Sequence, residues 1–223
     1  MTKYILYFFV LFLIISCKKD VNRSVKSISS SEYFSVATDL KNLKNQEKRK
    51  LSDSLYEIRG IFSNYDITGY TNQDHIKVGW WKAINRNNKK LCAELEYKLI
   101  DNKEFVNQYI IFENEKIDSL NSKFYNHVEN KKTIKYNFYL PGNSDRVGSE
   151  GKLNYHIYYK NKEQTHLQCR CSRNKNIFTC EFSYPNNLQN KNVIIRGNFW
   201  ELFQMDNGDL GQNEIYVLDS LKL

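Results

Sequence analysis

The chain contains little proline and little glycine, with two prolines and nine glycines among 223 residues. Disordered segments are usually enriched in these residues and poor in aromatics, so a long disordered tail is not expected. Aromatic residues are abundant instead, with sixteen tyrosines and thirteen phenylalanines. Both residue types favour strands over helices. The composition therefore predicts a folded body that is rich in strands.

The chain also lacks a hydrophobic run long enough to span a bilayer. Its most apolar stretch, residues 5–15, has eleven residues, whereas a spanning helix needs about 20. Lys3 lies in the short segment before this stretch, and the small residue Ser16 separates the stretch from Cys17. A charged start, an apolar middle and a small-residue exit are typical of a secretory signal peptide.

The tetrapeptide Ile14-Ile15-Ser16-Cys17 resembles the lipobox of bacterial lipoproteins. The resemblance implies that the signal is cut between Ser16 and Cys17, that Cys17 receives a diacylglycerol thioether, and that the new amino group is often acylated. Two or more acyl chains anchor a protein stably, at roughly 0.8 kcal/mol per buried methylene. The alternative is an ordinary signal peptide with a cysteine at this position by chance.

The resemblance also predicts where the protein resides. In lipoproteins an aspartate after the lipidated cysteine can mark retention in the inner membrane, but Lys18 occupies that position here. We therefore expect a lipid-anchored protein of the cell envelope, at the outer membrane if the cell has two membranes. The sequence does not determine whether the anchor lies in the periplasmic or in the surface-facing leaflet.

The domain organisation follows from this reading. Residues 1–16 are the signal peptide, residues 17–31 are the lipidated cysteine and a flexible tether, and residues 32–223 form a single β-rich domain. The tether is charged and rich in serine, without hydrophobic periodicity. After it, Tyr33, Val36, Leu40 and Leu43 are spaced roughly as a helical stripe. This spacing predicts one short helix within residues 31–50.

From residue 55 onward, apolar and polar residues alternate with a period of two, as in strands with one buried face. The predicted strands are 56–64, 76–85, 91–99, 105–113, 134–140, 155–159, 165–172, 177–184, 192–203 and 214–221. Short turn-rich connectors separate them. The predicted fold is mostly β, an antiparallel meander, sandwich or open barrel of about 9–11 short strands with one short N-terminal helix.

One stretch has a second resemblance. Residues 75–97 contain Gly79 before Trp80, then a polar turn and a second alternating strand, and they resemble one degenerate unit of MORN-type β-hairpin repeats. In that family the glycine lets the strands approach closely. Here Asn87-Asn88 replaces the usual Asn-Gly turn. The resemblance implies a hairpin with a binding or scaffolding role and implies no catalysis.

Three cysteines share one face of two successive predicted strands. If residues 173–176 form the connecting turn, Cys169 lies opposite Cys180, and a Cys169–Cys180 disulfide is predicted outside the reducing cytosol. The alternative is that these two and Cys171 are buried thiols that pack as small hydrophobic groups. A metal site with His166 is disfavoured, because His166 has the opposite parity and Cys-x-Cys is a poor zinc signature.

No catalytic pattern is present, and we predict no catalytic residue, no metal and no cofactor. Gly-x-Ser-x-Gly, His-Glu-x-x-His and Walker patterns are missing from the sequence. No two of the four histidines have metal-ligand spacing, which predicts solvated or edge-strand side chains. Glu94 and Glu96 suggest the paired carboxylates of a glycoside hydrolase. Two acidic residues at this spacing are more typical of the solvent-exposed face of a sheet. Cys92 shares that face and is a candidate free thiol.

Five residues are candidate ligand contacts. Trp80 and Trp81 are adjacent, so on a strand one must be buried and the other exposed or at an interface, where aromatic rings suit recognition. Asp145, Arg146 and Glu150 lie in the longest polar loop, PGNSDRVGSEGK, and loops on rigid sheets often carry function. The alternatives are ordinary core packing for the tryptophans and a mobile surface connection for the loop.

The net charge of +8 invites a nucleic-acid partner, but export makes that partner implausible. Anionic lipid headgroups, a polysaccharide or an acidic protein fit an envelope location better. The sequence therefore favours a binding or scaffolding module that is attached to the membrane through its N-terminal lipid and contacts an envelope protein or glycan. An immunity or antitoxin-like protein and a glycan-active hydrolase are the alternatives.

Overall fold

The computed structural model describes residues 29–130, 132–142 and 146–223. The predicted signal peptide, Cys17 and most of the predicted tether lie outside the described residues. The described chain contains one α-helix, α1 (Ser30–Ala37), and fifteen strands that pair antiparallel. The helix begins two residues before the start that we predict for the folded domain.

The first seven strands form a meander, in which each strand pairs with the next along the chain. They are β1 (Lys44–Lys50), β2 (Tyr56–Phe62), β3 (Tyr65–Thr71), β4 (Lys77–Asn85), β5 (Leu91–Ile100), β6 (Lys103–Glu113) and β7 (Lys116–Ile117). Two-residue turns with both residues at positive φ connect β5 to β6 at Asp101-Asn102 and β6 to β7 at Asn114-Glu115. Such turns match the twist of antiparallel strands.

The remaining strands form two four-stranded sheets with the orders β11-β10-β14-β15 and β12-β13-β9-β8. They are β8 (Phe124–Glu129), β9 (Thr133–Tyr139), β10 (Arg146–Tyr159), β11 (Lys162–Arg170), β12 (Ser172–Asn174), β13 (Ile177–Ser183), β14 (Asn192–Met205) and β15 (Leu210–Lys222). These two sheets pack face to face as a sandwich. All three sheets are open.

Helix α1 covers one face of the meander. The Ser29 side chain accepts from the Glu32 backbone N–H while Glu32 accepts from the Ser29 N–H, a capping box that fixes where the helix begins. Phe34 and Ala37 then pack onto the sheet. The helix-side core comprises Phe34, Ala37, Ile58, Ile67, Trp81, Ala83, Ala93, Leu95, Tyr97 and Ile111. Each large apolar side chain in it contributes roughly 1.5–3 kcal/mol by burial.

The sandwich has its own core between its two sheets. Ile134, Tyr136 and Phe138 alternate along β9, and all three are fully buried. The Phe138 ring stacks on Phe199 of the facing sheet, with 4.1 Å between ring centroids. The alternation read from the sequence therefore identifies the buried face of β9 correctly.

The structure confirms the mostly-β class, the antiparallel pairing and the single short helix. It differs in detail, because the helix ends at Ala37, before Leu40 and Leu43 of the predicted stripe, and residues 44–50 form β1. Five short strands are not predicted by the alternation, namely β1, β3, β7, β8 and β12. All seven residues of β1 are exposed, so this strand has no apolar face for a sequence pattern to reveal.

The predicted disulfide partner is wrong. Cys180 is bonded to Cys171, and Cys169 is a free thiol. In the β12–β13 hairpin Asn174 lies opposite Ile177, so only two residues form the turn and Lys175 takes a positive φ of 55°. The pairing thereby moves by two residues relative to the four-residue turn that we predict. A two-residue move keeps the face of each side chain, and it places Cys171 opposite Cys180.

Candidate functional site

The structure distributes the predicted contact residues over separate surfaces instead of gathering them in one site. Ser16, Cys17 and Asp145 lie outside the described residues. Trp80 and Trp81 are in the meander, whereas Arg146 and Glu150 are on β10 of the sandwich. No single cavity contacts both groups among the residues that the structure describes.

The two adjacent tryptophans point to opposite faces of β4. Trp81 is fully buried in the helix-side core, and its indole N–H donates to the Tyr70 carbonyl at 3.1 Å. Trp81 is therefore a core residue, and a ligand cannot reach it. Trp80 is partly exposed on the face of the meander that α1 does not cover, so of the two it alone is placed for recognition.

The face of the meander opposite α1 is hereafter called the open face. One row of paired residues crosses six strands on it and consists of Glu47, Arg59, Thr68, Lys82, Glu94 and Ile110. Trp80 precedes Lys82 by two residues and so lies beside this row. Lys82 and Glu94 form an ion pair at 2.9 Å. The open face thus combines a partly exposed aromatic ring with charges of both signs.

The hairpin of β4 and β5 spans most of the MORN-like stretch. Gly79 has a φ of +65°, a backbone conformation that residues with a Cβ rarely adopt. The glycine before Trp80 is therefore required by the backbone at the start of this hairpin. Membership of the hairpin in the MORN class stays a prediction.

The two glutamates that suggest a hydrolase are both engaged by neighbouring side chains. Glu94 pairs with Lys82, as described above. Glu96 accepts hydrogen bonds from Asn107 at 2.6 Å and from Gln108 at 2.7 Å. They share a face, as the alternation predicts, but each has a structural partner. The thiol of Cys92 is free, yet it packs against the helix-side core instead of lying on their face, since a β-bulge interrupts the pairing of β4 and β5 at this point.

Arg146 does not extend from a loop. It is the first residue of β10, and its guanidinium Nη1 donates to both carboxylate oxygens of Glu201, at 2.9 and 3.0 Å. Both side chains are almost completely buried, and the guanidinium also stacks over Phe203 at 4.0 Å. A buried ion pair with these contacts is costly to break, so the structure assigns Arg146 a packing role that the loop prediction missed.

Glu150 lies within β10 and forms ion pairs with Lys152 at 3.3 Å and with Arg170 at 3.6 Å. All three side chains have substantial exposure, so these pairs stabilise the fold little. Glu150 therefore remains accessible on the outer face of the sandwich.

A shallow cavity of about 490 Å³ lies at the end of the sandwich near Arg146. Its lining residues are Leu120, Asn121, Pro141, Gly142, Arg146, Arg173, Lys175 and Asn176. The cationic groups are partly used elsewhere, because Arg146 is paired with Glu201 and the Arg173 Nε donates to the Lys175 carbonyl at 2.8 Å. Among the described residues no carboxylate lines this cavity, so it offers weak anion attraction and no acid–base pair.

A second cavity of about 480 Å³, beside β7, contains Glu113 and Asp118. One carboxylate oxygen of Asp118 accepts from the backbone N–H groups of Leu120 and Asn121, and the other accepts from the Asn121 side chain. Asp118 therefore organises a turn. Glycoside hydrolysis needs two converging carboxylates with one free to donate a proton, and this cavity does not provide that pair.

A polar network joins the meander to the sandwich. Asn107 of β6 is fully buried, and its side chain satisfies both the backbone N–H and the backbone carbonyl of Tyr216 on β15. Lys98 donates to the same carbonyl at 2.8 Å. Because β15 is an edge strand, these bonds cover backbone groups that an edge leaves unpaired. The network therefore fixes the meander against the sandwich.

Two tyrosines of the β8–β9 hairpin bind one carboxylate of the sandwich. Tyr125 and Tyr136 donate to the two oxygens of Asp219 at 3.2 and 2.9 Å. Burial, followed by the charge of Asp219, raises the pKa of both phenols well above the ordinary value. They therefore remain protonated donors at neutral pH, which suits a structural link between the two sheets and does not suit proton transfer.

Lys123 is the most deeply placed cation at this junction. Its Nζ donates to the Val106 carbonyl at 3.0 Å and to the Glu214 carbonyl at 3.2 Å. The ammonium also lies 5.1 Å from the centre of the Phe105 ring. Burial lowers the pKa of Lys123 to about 8, and the nearby charge of Glu214 opposes this shift.

This pKa predicts that stability increases with pH between 7 and 9. Because the folded pKa lies below that of the unfolded chain, folding disfavours the protonated form. As pH rises through 8, Lys123 loses its proton in the folded state but keeps it in the unfolded state. We expect the free energy of unfolding to rise by about 1 kcal/mol over this interval, as measured by urea unfolding in steps of half a pH unit.

The Lys123→Met variant is the control for this measurement, because it keeps the side-chain length and removes the titrating group. We expect its free energy of unfolding to be nearly constant from pH 7 to 9. Both proteins carry Cys169→Ser, since burial raises the pKa of the Cys169 thiol and ionisation of that thiol in the unfolded chain would lower stability within the same pH interval. An equal increase in the variant would show that Lys123 is not the source.

Comparison of the chain with protein-family models, with curated proteins and with solved structures gives no match. Among the described residues, no helix has both the length and the apolar character that crossing a bilayer requires. The function is therefore inferred from the residues and contacts described above.

Proposed function

We propose that this protein is a lipid-anchored lipoprotein of the cell envelope whose open face binds a partner protein. The anchor is Cys17, inferred from the lipobox that ends the apolar stretch of residues 5–15. Eleven residues, 18–28, lie between Cys17 and Ser29, where the described residues begin, so twelve residue-to-residue steps connect the two. At about 3.3–3.6 Å per residue they span at most about 40 Å, so the folded body remains close to the membrane.

The observation that carries the binding proposal is Trp80 beside the charged row of the open face. The ring is partly exposed on a sheet whose other face is closed by α1. Partner proteins bind preferentially through exposed aromatic residues surrounded by polar groups. Charges of both signs around a partly exposed aromatic ring fit the surface of a partner protein.

The buried polar contacts between the meander and the sandwich support a scaffolding role for the folded domain. Asn107, Lys123 and the pair of tyrosines on Asp219 fix the two parts of the chain through buried polar bonds. A rigid body reduces the conformational entropy that is lost when a partner binds. The cavities formed by the described residues provide no corresponding support for hydrolysis.

The proposal is tested by quantitative pull-down of the anchored protein from native membranes. We expect Trp80→Ala to reduce recovery of a specific co-purifying envelope protein at least tenfold, as for a central aromatic contact. Trp200→Ala is the matched control, because Trp200 is also partly exposed but lies on β14 of the sandwich, away from the open face.

Equal recovery with Trp80→Ala and the unmodified chain would contradict the proposal, as would an equal loss with Trp200→Ala. Co-purification of a glycan in place of a protein would show that the partner class is wrong. Both variants are compared by thermal unfolding first, so that a loss of binding is not a loss of fold.

A further inference from the structure

Two histidines and a glutamate meet on the outer face of the sandwich. His156 on β10 is the direct cross-strand partner of His166 on β11. Their imidazole rings are nearly parallel, with 3.9 Å between ring centroids. The Glu163 Oε2 lies 3.1 Å from the His156 Nδ1. These three groups are separated by seven and ten positions along the chain, so the sequence spacing alone does not bring them together.

A β-bulge puts Glu163 on the same face as the histidines. Ile157 pairs with Thr165, but the next residue, Tyr158, pairs with Glu163, so Gln164 is an extra residue in β11. Without it, residues 163 and 166 would point to opposite faces, since side chains alternate along a strand. With it, one ligand atom from each of the three side chains lies within 4.8 Å of the other two.

We propose that His156, Glu163 and His166 form a binding site for a divalent transition-metal ion, with Zn²⁺ as the ion that best matches the donors. Two imidazole nitrogens and one carboxylate oxygen are a donor set that Zn²⁺ commonly takes from proteins. Mg²⁺ and Ca²⁺ prefer oxygen ligands alone. Three protein ligands leave a fourth position for water or for a donor from a second molecule.

The exposure of the ligand side chains and the charge of their neighbours determine how tightly the ion is expected to bind. The side chains of His156 and Glu163 are 32% and 44% exposed, respectively. The ion can therefore enter without a change in fold. Arg196 lies opposite His156 on β14 and adds a positive charge. Its guanidinium stacks over Tyr158, 5.2 Å from the ring centre. We therefore expect micromolar affinity instead of the much tighter binding of closed zinc sites.

Binding of a metal would link β10 to β11 through their side chains. β11 is an edge strand of its sheet, and edge strands are held by fewer contacts than central strands. The ion would therefore stabilise this edge, and its open coordination position would face solvent on the outer face of the sandwich.

The test is titration of the full-length protein in detergent with Zn²⁺, followed by calorimetry at pH 7.5. Cys92 and Cys169 are replaced by serine in every sample, because both are free thiols that bind zinc. We expect one ion per chain with micromolar affinity. His156→Ala and His166→Ala should each weaken binding at least tenfold, and Glu163→Gln should weaken it by a smaller factor.

His127→Ala is the matched control, because His127 is the other histidine with acidic neighbours, 3.7 Å from Glu129 and 3.9 Å from Asp219. Its affinity should equal that of the parent. A second measurement guards against misfolding: Zn²⁺ should raise the melting temperature of the parent and of His127→Ala but not that of His166→Ala. Absence of binding at about 100 µM Zn²⁺, roughly a hundredfold above a micromolar dissociation constant, would overturn the proposal. Unchanged binding in both His156→Ala and His166→Ala would overturn it as well.

Discussion

Replacing Cys17 with alanine is expected to move the protein from the membrane fraction to the soluble fraction. The proposed thioether-linked diacylglycerol would require the Cys17 sulfur, so the variant could not carry it. A single acyl chain binds only marginally, but two or more chains, at roughly 0.8 kcal/mol per buried methylene, anchor a protein stably. We expect at least a hundredfold decrease in the membrane-bound to soluble ratio, measured by immunoblot after washing in high salt.

Lys18→Ala is the matched control for this experiment, because it changes the neighbouring residue and leaves the sulfur in place. It should remain with the membrane. High salt removes proteins held by basic surface charge, which is relevant for a chain of net charge +8. If Cys17→Ala remains membrane-bound after the wash, attachment does not depend on this residue and the anchor proposal fails.

The second large effect is expected from Gly69→Ala in the meander. The Trp81 indole lies directly over Gly69, and a methyl group there would overlap the ring. Trp81 is fully buried and cannot move aside without disturbing α1 and its neighbours. Overpacking of this kind costs about 3 kcal/mol. For a chain of this size that cost lowers the melting temperature by roughly 6–12 °C, as measured by circular dichroism.

Gly148→Ala provides the control, because Gly148 also lies in a strand but has no atom near the position of an added methyl group. Its effect should stay within about 0.5 kcal/mol. The overlap is tested further in a Trp81→Leu background, where Gly69→Ala should cost less than about 1 kcal/mol. The same cost in both backgrounds would show that the ring is not the obstacle.

The sequence predicts well those strands that have one buried face. In β5, Ala93, Leu95 and Tyr97 are buried as the alternation requires. The adjacent pair Trp80 and Trp81 divides between the two faces for the same reason. A period of two is dictated by the backbone of any strand, so it is readable without knowledge of the partner strand.

The alternation of apolar and polar residues does not predict an edge strand that has no buried face. β1 is held by backbone bonds to β2 and leaves every side chain in solvent, so its sequence, KNQEKRK, contains no apolar signal. The spacing of Leu40 and Leu43 with Tyr33 suggests a longer helix than exists. Both leucines do pack against the helix-side core, but after the helix has ended.

Register is the other quantity that the sequence does not determine. Cys169, Cys171 and Cys180 all pack at the sandwich core, but Cys169 lies on β11 of one sheet and Cys180 on β13 of the facing sheet. The bonded pair depends on whether the β12–β13 turn has two residues or four. The metal-site proposal depends on register in the same way. His156 and His166 face each other only because of the β10–β11 pairing, and Glu163 joins them only through the bulge at Gln164.

The central claim, a folded β body anchored through a lipidated Cys17, is tested most directly by the intact mass of the protein extracted from native membranes. The account predicts a polypeptide that begins at Cys17 and carries the added mass of a diacylglycerol, with or without a third acyl chain. A polypeptide that still begins at Met1, or one that begins at Cys17 with an unmodified thiol, would contradict it.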